Sequence, residues 1–285
     1  MTFFLISGPP RKSPEPKIPG LIEAACKKQE VAFHLLDIRT TDPFNLPSVT
    51  TGDMVYRSVM SKKARLIEKL LVTSTAGHVY LDSFSALSTR GGSYFHHRNS
   101  DLPLVPTFPF LPESNKELRD AVGQLGGFPL IVKVTGGTLG VGVIRVDTFS
   151  GLISLTDYLR GTGVDAYLRQ YIEHEYYVRV VVVGDHVVAS HQTYALSGEF
   201  RTNVGDSTLQ RREAYELPDE LKQRAVEAVS SLHLEFAGVD ILFDQHGTPF
   251  ITEVNSPFDF VCTQEVTGID IAEKLVSHLL AKTKG

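Results

Sequence analysis

Two short runs near the end of the chain constrain its fold more than any other feature. They are Gly238-Val239-Asp240-Ile241-Leu242-Phe243 and Phe250-Ile251-Thr252-Glu253-Val254-Asn255. Each sets an acid inside an otherwise apolar strand. Successive side chains of a strand point to opposite faces. Val239, Ile241 and Phe243 therefore share one face, and Asp240 and Leu242 the other. On the second run Phe250, Thr252 and Val254 face one way, and Ile251, Glu253 and Asn255 the other. A two-residue turn at His246-Gly247 pairs Gln245 with Thr248. Counting back from that turn sets Asp240 directly opposite Glu253, with Asn255 two residues further along the same face, and the apolar faces coincide. Like charges directly opposite repel, and a cation between them resolves the repulsion. The ligands are hard oxygens without Cys or His, which favours Mg²⁺ over zinc, with Mn²⁺ as the alternative ion. Magnesium held this way usually has phosphate as its other partner. The competing reading is a pair of exposed acids on a surface hairpin.

A second signal is Leu130-Ile131-Val132-Lys133-Val134, an apolar strand carrying one lysine. It runs into a loop with glycines at 136, 137, 140 and 142. Glycines let backbone N–H groups wrap phosphate oxygens, and Lys133 adds a point charge. No Gly-Lys-Ser/Thr follows, so this is not a Walker loop, and the glycine order is reversed from a dinucleotide fingerprint. A plain glycine-rich hairpin is the alternative. Arg201 and Asn203 in Phe200-Arg201-Thr202-Asn203 offer a bidentate clamp for phosphate or carboxylate, or a surface loop. Leu168-Arg169-Gln170-Tyr171-Ile172-Glu173-His174-Glu175 is a strand opening into a polar segment, either an adenine hinge with Glu175 reaching a ribose or an ordinary strand end. Together a phosphate loop, a lysine, an acid pair and an arginine point to nucleoside triphosphate chemistry.

The 285 residues make about two domains at roughly 100–200 residues each. Lys and Arg total 28 against 33 Asp and Glu, so general nucleic-acid binding is not expected. The two cysteines, Cys26 and Cys262, exclude a disulfide framework and fit a reducing compartment. Without a membrane-length apolar run or a signal-peptide core, a cytoplasmic protein is expected. The first hundred residues alternate strand and helix signals, with helices expected over 18–30 and 58–72, Ile67, Leu70 and Leu71 facing inward. Arg57, Lys62, Lys63, Arg65 and Lys69 are expected on a solvated basic face of the second helix. Leu102-Pro103-Leu104-Val105-Pro106 reads as an extended linker. A helix over 116–125 ends at Gly126-Gly127. Gly184-Asp185 marks a hairpin, and helices are expected over 218–232 and 269–280.

Val132-Lys133 with its glycine loop, Gln170-Tyr171-Ile172, Arg179 before Gly184-Asp185, Phe200 to Asn203, Gly238 to Asp240, Glu253 to Asn255 and Thr267 to Ile271 resemble the ATP-grasp superfamily. More narrowly they resemble its RimK/LysX group of carboxylate–amine ligases. The resemblance implies an α/β (α+β) chain with an ATP-grasp fold. Its pieces would be an N-terminal α/β domain over 1–103, a small central lid over 104–172 and a C-terminal antiparallel subdomain over 173–285. It implies that ATP contacts Lys133, Gly136, Gly137, Thr138, Gly140, Gln170, Tyr171, Ile172, Glu175, Arg201 and Asn203. Asp240, Glu253 and Asn255 would bind Mg²⁺, and Arg179 and Arg201 would steady the transferring group. The family's other phosphate-binding lysine corresponds to Arg90, and Tyr177 stands where the family often has Asp. Asn255-Ser256-Pro257-Phe258-Asp259 departs from the usual Asn-x-Ser-Pro-Gly.

The implied reaction is ATP-dependent amide formation through an acyl phosphate. Its substrates would be a carboxylate and an amine, small molecules or peptides, with no membrane or nucleic-acid partner and a homo-oligomer in some relatives. The rival in another class is a non-catalytic ATP-binding relative. A dinucleotide-dependent oxidoreductase on the N-terminal unit is a third reading, disfavoured because Ser7-Gly8-Pro9-Pro10 lacks the needed glycines. His96-His97 read as an exposed loop, Tyr176-Tyr177 as strand-edge packing, and Cys262 has nothing beside it to activate a thiol.

Overall fold

The computed structural model describes residues 1–8, 17–73, 79–80, 101–135, 140–196, 198–201 and 209–284. Three sheets organise it. The first is parallel, in the order β2-β1-β3-β4, from β1 (Thr2–Ser7), β2 (Ala32–Asp37), β3 (Met54–Arg57) and β4 (Val79–Tyr80). β1 is apolar along nearly its whole length and buried from Phe3 onward, as a strand covered on both faces must be. Helix α1 (Lys17–Lys28) buries Ile22, Ala25 and Cys26. Helix α2 (Lys62–Thr73) starts four residues later than expected, after Ser61, whose hydroxyl accepts from the Ala64 amide at 3.0 Å. Ile67 and Leu71 face inward, but Leu70 is exposed.

Arg57 corrects the basic-face reading. It lies on β3, not on the helix, and is 1% exposed. Its Nε donates to Glu68 Oε2 at 2.8 Å. A buried cation needs a partner more than a face needs charge, and Glu68 on α2 supplies it. Lys62, Lys63 and Lys69 remain solvated.

The second sheet has the order β5-β8-β6-β7, from β5 (Thr107–Phe108), β6 (Leu130–Val134), β7 (Val143–Val146) and β8 (Ala166–Gln170). All its pairings are antiparallel. Helices α3 (Asn115–Gln124) and α4 (Phe149–Gly161) cover one face and give it its own core around Leu118, Leu130, Val132, Leu152 and Leu168. Ser114 and Glu117 form a capping box at the start of α3. Gly126 and Gly127, at φ 85° and 91°, follow its end.

The third sheet has the order β11-β10-β9-β12-β13, from β9 (Tyr176–Val183), β10 (His186–Tyr194), β11 (Arg212–Ala214), β12 (Phe236–Phe243) and β13 (Pro249–Asn255). The hairpin at Gly184-Asp185 forms, pairing Val183 with His186. Helix α5 (Asp219–Ser230) packs on one face over Val180, Val182, Val239 and Ile241. The short α6 (Val261–Thr267) packs on β10, and α7 (Ile271–Lys282) packs beside α1. The core under α7 joins Phe3, Leu5 and Ile22 to Val181, Val183, Phe236 and Leu275. The first and third sheets thus share one core, while the second has its own. The 102–106 linker is extended as expected and is stitched to β13, with the Ile251 amide donating to Pro103 O at 2.6 Å. Among the described residues no helix is long and apolar enough to cross a membrane.

Candidate functional site

The acid-bearing ribbon reaches its expected register by an unexpected route. Asp240 does lie opposite Glu253, and Gly238 opposite Asn255. Nearer the turn, however, Phe243 pairs with Pro249, and the Asp244 amide donates to Thr248 O at 3.1 Å. The loop is therefore Gln245-His246-Gly247, with Gly247 at φ 80°, rather than a two-residue turn. That shifts the register by one position. A β-bulge at Thr252 shifts it back. The Thr252 hydroxyl donates to Asp240 O at 3.1 Å across the bulge. The bulge also reassigns faces: Ile251 joins Val254 in the core, not Phe250 and Thr252 as strict alternation implies.

One cross-strand row carries the charge. Moving across the sheet from β10 to β13, His191 pairs with Arg179, Arg179 with Asp240, and Asp240 with Glu253. Arg179 holds Asp240 bidentately, with Nε donating to Oδ1 at 2.5 Å and Nη2 to Oδ2 at 3.2 Å. Gly238 makes room for this guanidinium: a Cβ there would lie 3.0 Å from Arg179 Nη1 and 2.8 Å from Phe258 Cδ2. Burial pushes the Asp240 carboxyl above its ordinary range, and Arg179 opposes that shift. Burial also works against the Arg179 charge, but Asp240 and then Tyr177 hold the guanidinium above its ordinary range. His191, 3% exposed, is pushed down to about 4 by burial, Arg179 and Arg212, so it is neutral. Cys262 Sγ lies 3.9 Å from His191 Nε2, but burial raises the thiol, which is the opposite of nucleophilic activation.

The facing side of the second sheet presents Lys133 to this row. Lys133 forms an ion pair with Glu253. Burial, and after it the Arg169 guanidinium, pull the ammonium below its ordinary range, while Asp240 pulls it up. The geometry sets the Lys133 amine directly against the Glu253 carboxylate. Like charges about 4 Å apart repel by roughly 4 kcal/mol at an effective dielectric near 20. Arg179 thus answers Asp240 and Lys133 answers Glu253, and removing either cation leaves its acid without that counter-charge.

The cleft between the two sheets encloses about 140 Å³, less than the roughly 300–1,000 Å³ of small-molecule sites. Lys133 and Glu253 meet on its lining. Of the expected residues, Lys133, Gln170, Tyr171, Ile172, Arg201, Asp240 and Glu253 line this cleft. Tyr171 and Ile172 lie beyond the end of β8, with the Arg145 guanidinium 4.6 Å from the Tyr171 ring centroid. Arg201 is clamped by Glu199, with Nε to Oε1 at 2.9 Å and Nη2 to Oε2 at 2.7 Å, and its Nη1 donates to Gly140 O at 3.4 Å. The hydrogen bond from Arg201 holds the Glu199 carboxyl down at about 2. Glu175 is exposed and does not line the cleft, so the structure does not bring it to the other residues. Arg90, Gly136, Gly137, Thr138 and Asn203 lie outside the described residues, as do His96 and His97.

Sequence reading passed over Val105, Ile131, Val143 and Leu242, which give the cleft its apolar walls, and Arg169 and His174. The alternation of β6 and β8 contained the signal for Ile131 and Arg169: both share a face with Lys133, opposite the core residues Val132 and Leu168.

The donor set suits a hard divalent ion. Asn255 Nδ2 lies 3.3 Å from Asp240 Oδ2 and 3.5 Å from Glu253 Oε2. Rotating the amide places its oxygen at that point. Two carboxylates and an amide then converge as oxygen ligands. Among the described residues no group of three or more His, Cys, Asp and Glu gathers into an alternative metal site.

Comparison with known proteins agrees with this arrangement. The model of the RimK-like ATP-grasp domain matches residues 105–279. A probable alpha-L-glutamate ligase of Enterobacter sp. (strain 638) is 33% identical over 181 residues, covering 63% of this chain and 58% of that protein. The ribosomal protein bS6–L-glutamate ligase of Escherichia coli O7:K1 is also 33% identical, covering 62% of this chain and 57% of that protein. The chain thus spans a little over half the length of these curated relatives. The structure of ATP-grasp ligase PsnB complexed with minimal precursor, Mg and ADP superposes with a TM-score of 0.74 at 16% identity, over 99% of this chain and 98% of that one. That likeness shows the ATP-grasp fold across all three sheets, and the family match covers the two sheets that form the cleft: the chain belongs to the RimK-like ATP-grasp family.

Proposed function

We propose that this chain is an ATP-dependent carboxylate–amine ligase that forms an amide bond through an acyl phosphate, with residues 1–103, 104–172 and 173–285 as its three units. The observation that carries this reading is the pair Asp240 and Glu253, set opposite each other on one sheet and faced by Lys133 from the other. The apolar walls from Val105, Ile131, Val143 and Leu242 would take the base, beside Gln170, Tyr171 and Ile172. The nucleotide's phosphates would draw Lys133 away from Glu253, freeing that carboxylate. Asp240, Glu253 and Asn255 would hold Mg²⁺ (or Mn²⁺), whose contribution is to neutralise charge on the phosphate oxygens.

Arg179 lies one strand inward from Asp240 and directs its charge to the same face. It would orient the substrate carboxylate for attack on the γ-phosphoryl group and steady the acyl phosphate, which the amine then breaks down with release of phosphate. Arg201, whose Nη1 also reaches Gly140 O, would set its positive charge beside the phosphates. Because one relative's name carries a ribosomal protein and L-glutamate, and PsnB has been solved in complex with a precursor peptide, the carboxylate is proposed to belong to a peptide or protein and the amine to an amino acid.

The test is ADP release screened over pairs of peptides and amino acids, with products identified by mass spectrometry. A mass gain equal to one amino acid minus water, dependent on ATP and Mg²⁺, supports the proposal. ATP binding with no ADP release from any pair favours the non-catalytic reading instead.

A further inference from the structure

We infer that Arg169 is a positioning residue for the metal-binding ribbon: it holds the Thr252 bulge, and the bulge keeps Glu253 opposite Asp240. The inference rests on the nucleotide–metal reading of the cleft and names a residue that reading does not use.

Arg169 lies on β8 in the second sheet and is 8% exposed. Its Nη1 donates to Thr252 O on β13 at 3.1 Å, across the cleft, and its Nε donates to Thr107 Oγ1 at 3.0 Å. The Thr107 hydroxyl donates in turn to Val105 O at 2.8 Å, and the Val105 amide donates to Ile251 O at 3.4 Å. The path closes on itself: Arg169, Thr107, Val105, Ile251, Thr252 and back to Arg169. It encircles the point where β13 carries its extra residue.

The geometry explains why this point needs holding. A bulge leaves one residue outside the ladder, so its carbonyl has no strand partner. The three-residue loop alone would leave the ribbon one position out of step, and a one-position slip turns every side chain to the opposite face. Glu253 would then leave the face it shares with Asp240. The Arg169 fork satisfies the orphan carbonyl from one branch while the other is anchored on its own sheet, which a lysine's single ammonium cannot reproduce. The same link ties the second sheet to the third next to Gln170, so the base-binding segment and the metal ribbon are held in one frame.

The test compares wild type with Arg169→Met, which keeps the side chain's length over the Tyr167 ring, 5.5 Å from the guanidinium, but not its hydrogen bonds. Hydrogen–deuterium exchange of the segment 249–255 is read without ligands. Mn²⁺ affinity is read by electron paramagnetic resonance with a non-hydrolysable ATP analogue, and analogue affinity is also read without metal. Faster exchange in 249–255 together with Mn²⁺ binding weakened about tenfold, and unaltered metal-free nucleotide affinity, is expected. Arg169→Lys should fall between the two, and it serves as the test if Arg169→Met gives no cooperative melt. Unaltered exchange, faster exchange with unaltered Mn²⁺ affinity, or a loss confined to metal-free nucleotide affinity overturns the inference, the last because Arg169 would then be a phosphate contact. A wild-type protein that binds no Mn²⁺ alongside nucleotide would instead remove the underlying reading, and that result is seen before any substitution is made.

Discussion

Lys133 of the second sheet and Glu253 of the third meet as an ion pair across the cleft. Each is the other's counter-charge in this structure, and the proposed function gives each a different partner once nucleotide and metal bind. Substitutions on the two sides should therefore separate. Lys133→Met should weaken ATP binding with and without metal and lower kcat/KM by roughly 10²–10³-fold. Glu253→Gln should abolish metal-dependent turnover to a similar extent while leaving metal-free ATP affinity unchanged or raised. Calorimetric titration of ATP with and without Mg²⁺ checks the split; equal losses in both variants under both conditions would contradict it.

The two acids differ in what stands behind them. Asp240 is buried and bound bidentately by Arg179, whereas Glu253 is about a third exposed. Asp240→Asn leaves a buried guanidinium without its counter-charge, and breaking a buried ion pair typically costs roughly 3–5 kcal/mol. Glu253→Gln should change stability by less than about 1 kcal/mol. Both variants should lose turnover, so urea unfolding rather than activity distinguishes them.

Gly238 is needed for space, not for backbone freedom. A Cβ at this position meets Phe258 at 2.8 Å and Arg179 Nη1 at 3.0 Å. Gly238→Ala should cost roughly 1–3 kcal/mol by overpacking and displace Arg179 from Asp240. The expected kinetic signature is a fall in kcat with little change in KM for ATP. A variant with wild-type kcat would show that Arg179 has slack that the geometry does not reveal.

Asp270 caps α7 and joins it to α1. Its Oδ1 accepts from the Glu273 amide at 3.0 Å, and its Oδ2 accepts from Lys28 Nζ at 2.6 Å. Asp270→Ala should cost about 1 kcal/mol, mainly through the cap. Burial raises the Asp270 carboxyl, but Lys28 and the Glu273 amide outweigh it and hold the group below its ordinary range. A carboxyl lowered on folding stabilises the protein above its unfolded value, near 3.9, and loses that contribution as pH falls through the folded value. The Tm difference between Asp270→Ala and wild type should therefore be full at pH 7 and shrink below about pH 4. A difference that does not change with pH would mean the carboxylate's charge plays no part.

Much of the local order could be read from residue spacing. The strand runs around Lys133 and Asp240, the Gly184-Asp185 hairpin and the helix ends at Gly126-Gly127 all rest on interactions a few residues apart, which spacing encodes directly. The facing of Asp240 and Glu253 was also legible, but through two departures that cancel: a loop one residue longer than expected and a bulge at Thr252. The loop has a local signature, Asp244 accepting from the His246 and Thr248 amides with Gly247 at φ 80°, whereas the bulge depends on contacts from Asp240, Pro103 and Arg169.

What the chain's own pattern determined is which side chains share a face within each regular element, the bulged β13 excepted. Which faces then meet was decided only by the tertiary structure. Arg57 reads as one more cation in a basic stretch until β3 carries it beneath α2 and Glu68. Arg179 and Asp240 are 61 residues apart and become partners because β12 inserts beside β9. Glu175 follows the Gln170–Ile172 segment closely along the chain, yet the turn into β9 leaves it in solvent. The physical reason is common to all three. Periodicity is a property of a single element's backbone, while the burial of a charge and the identity of its partner depend on sheet order, which closes over long loops.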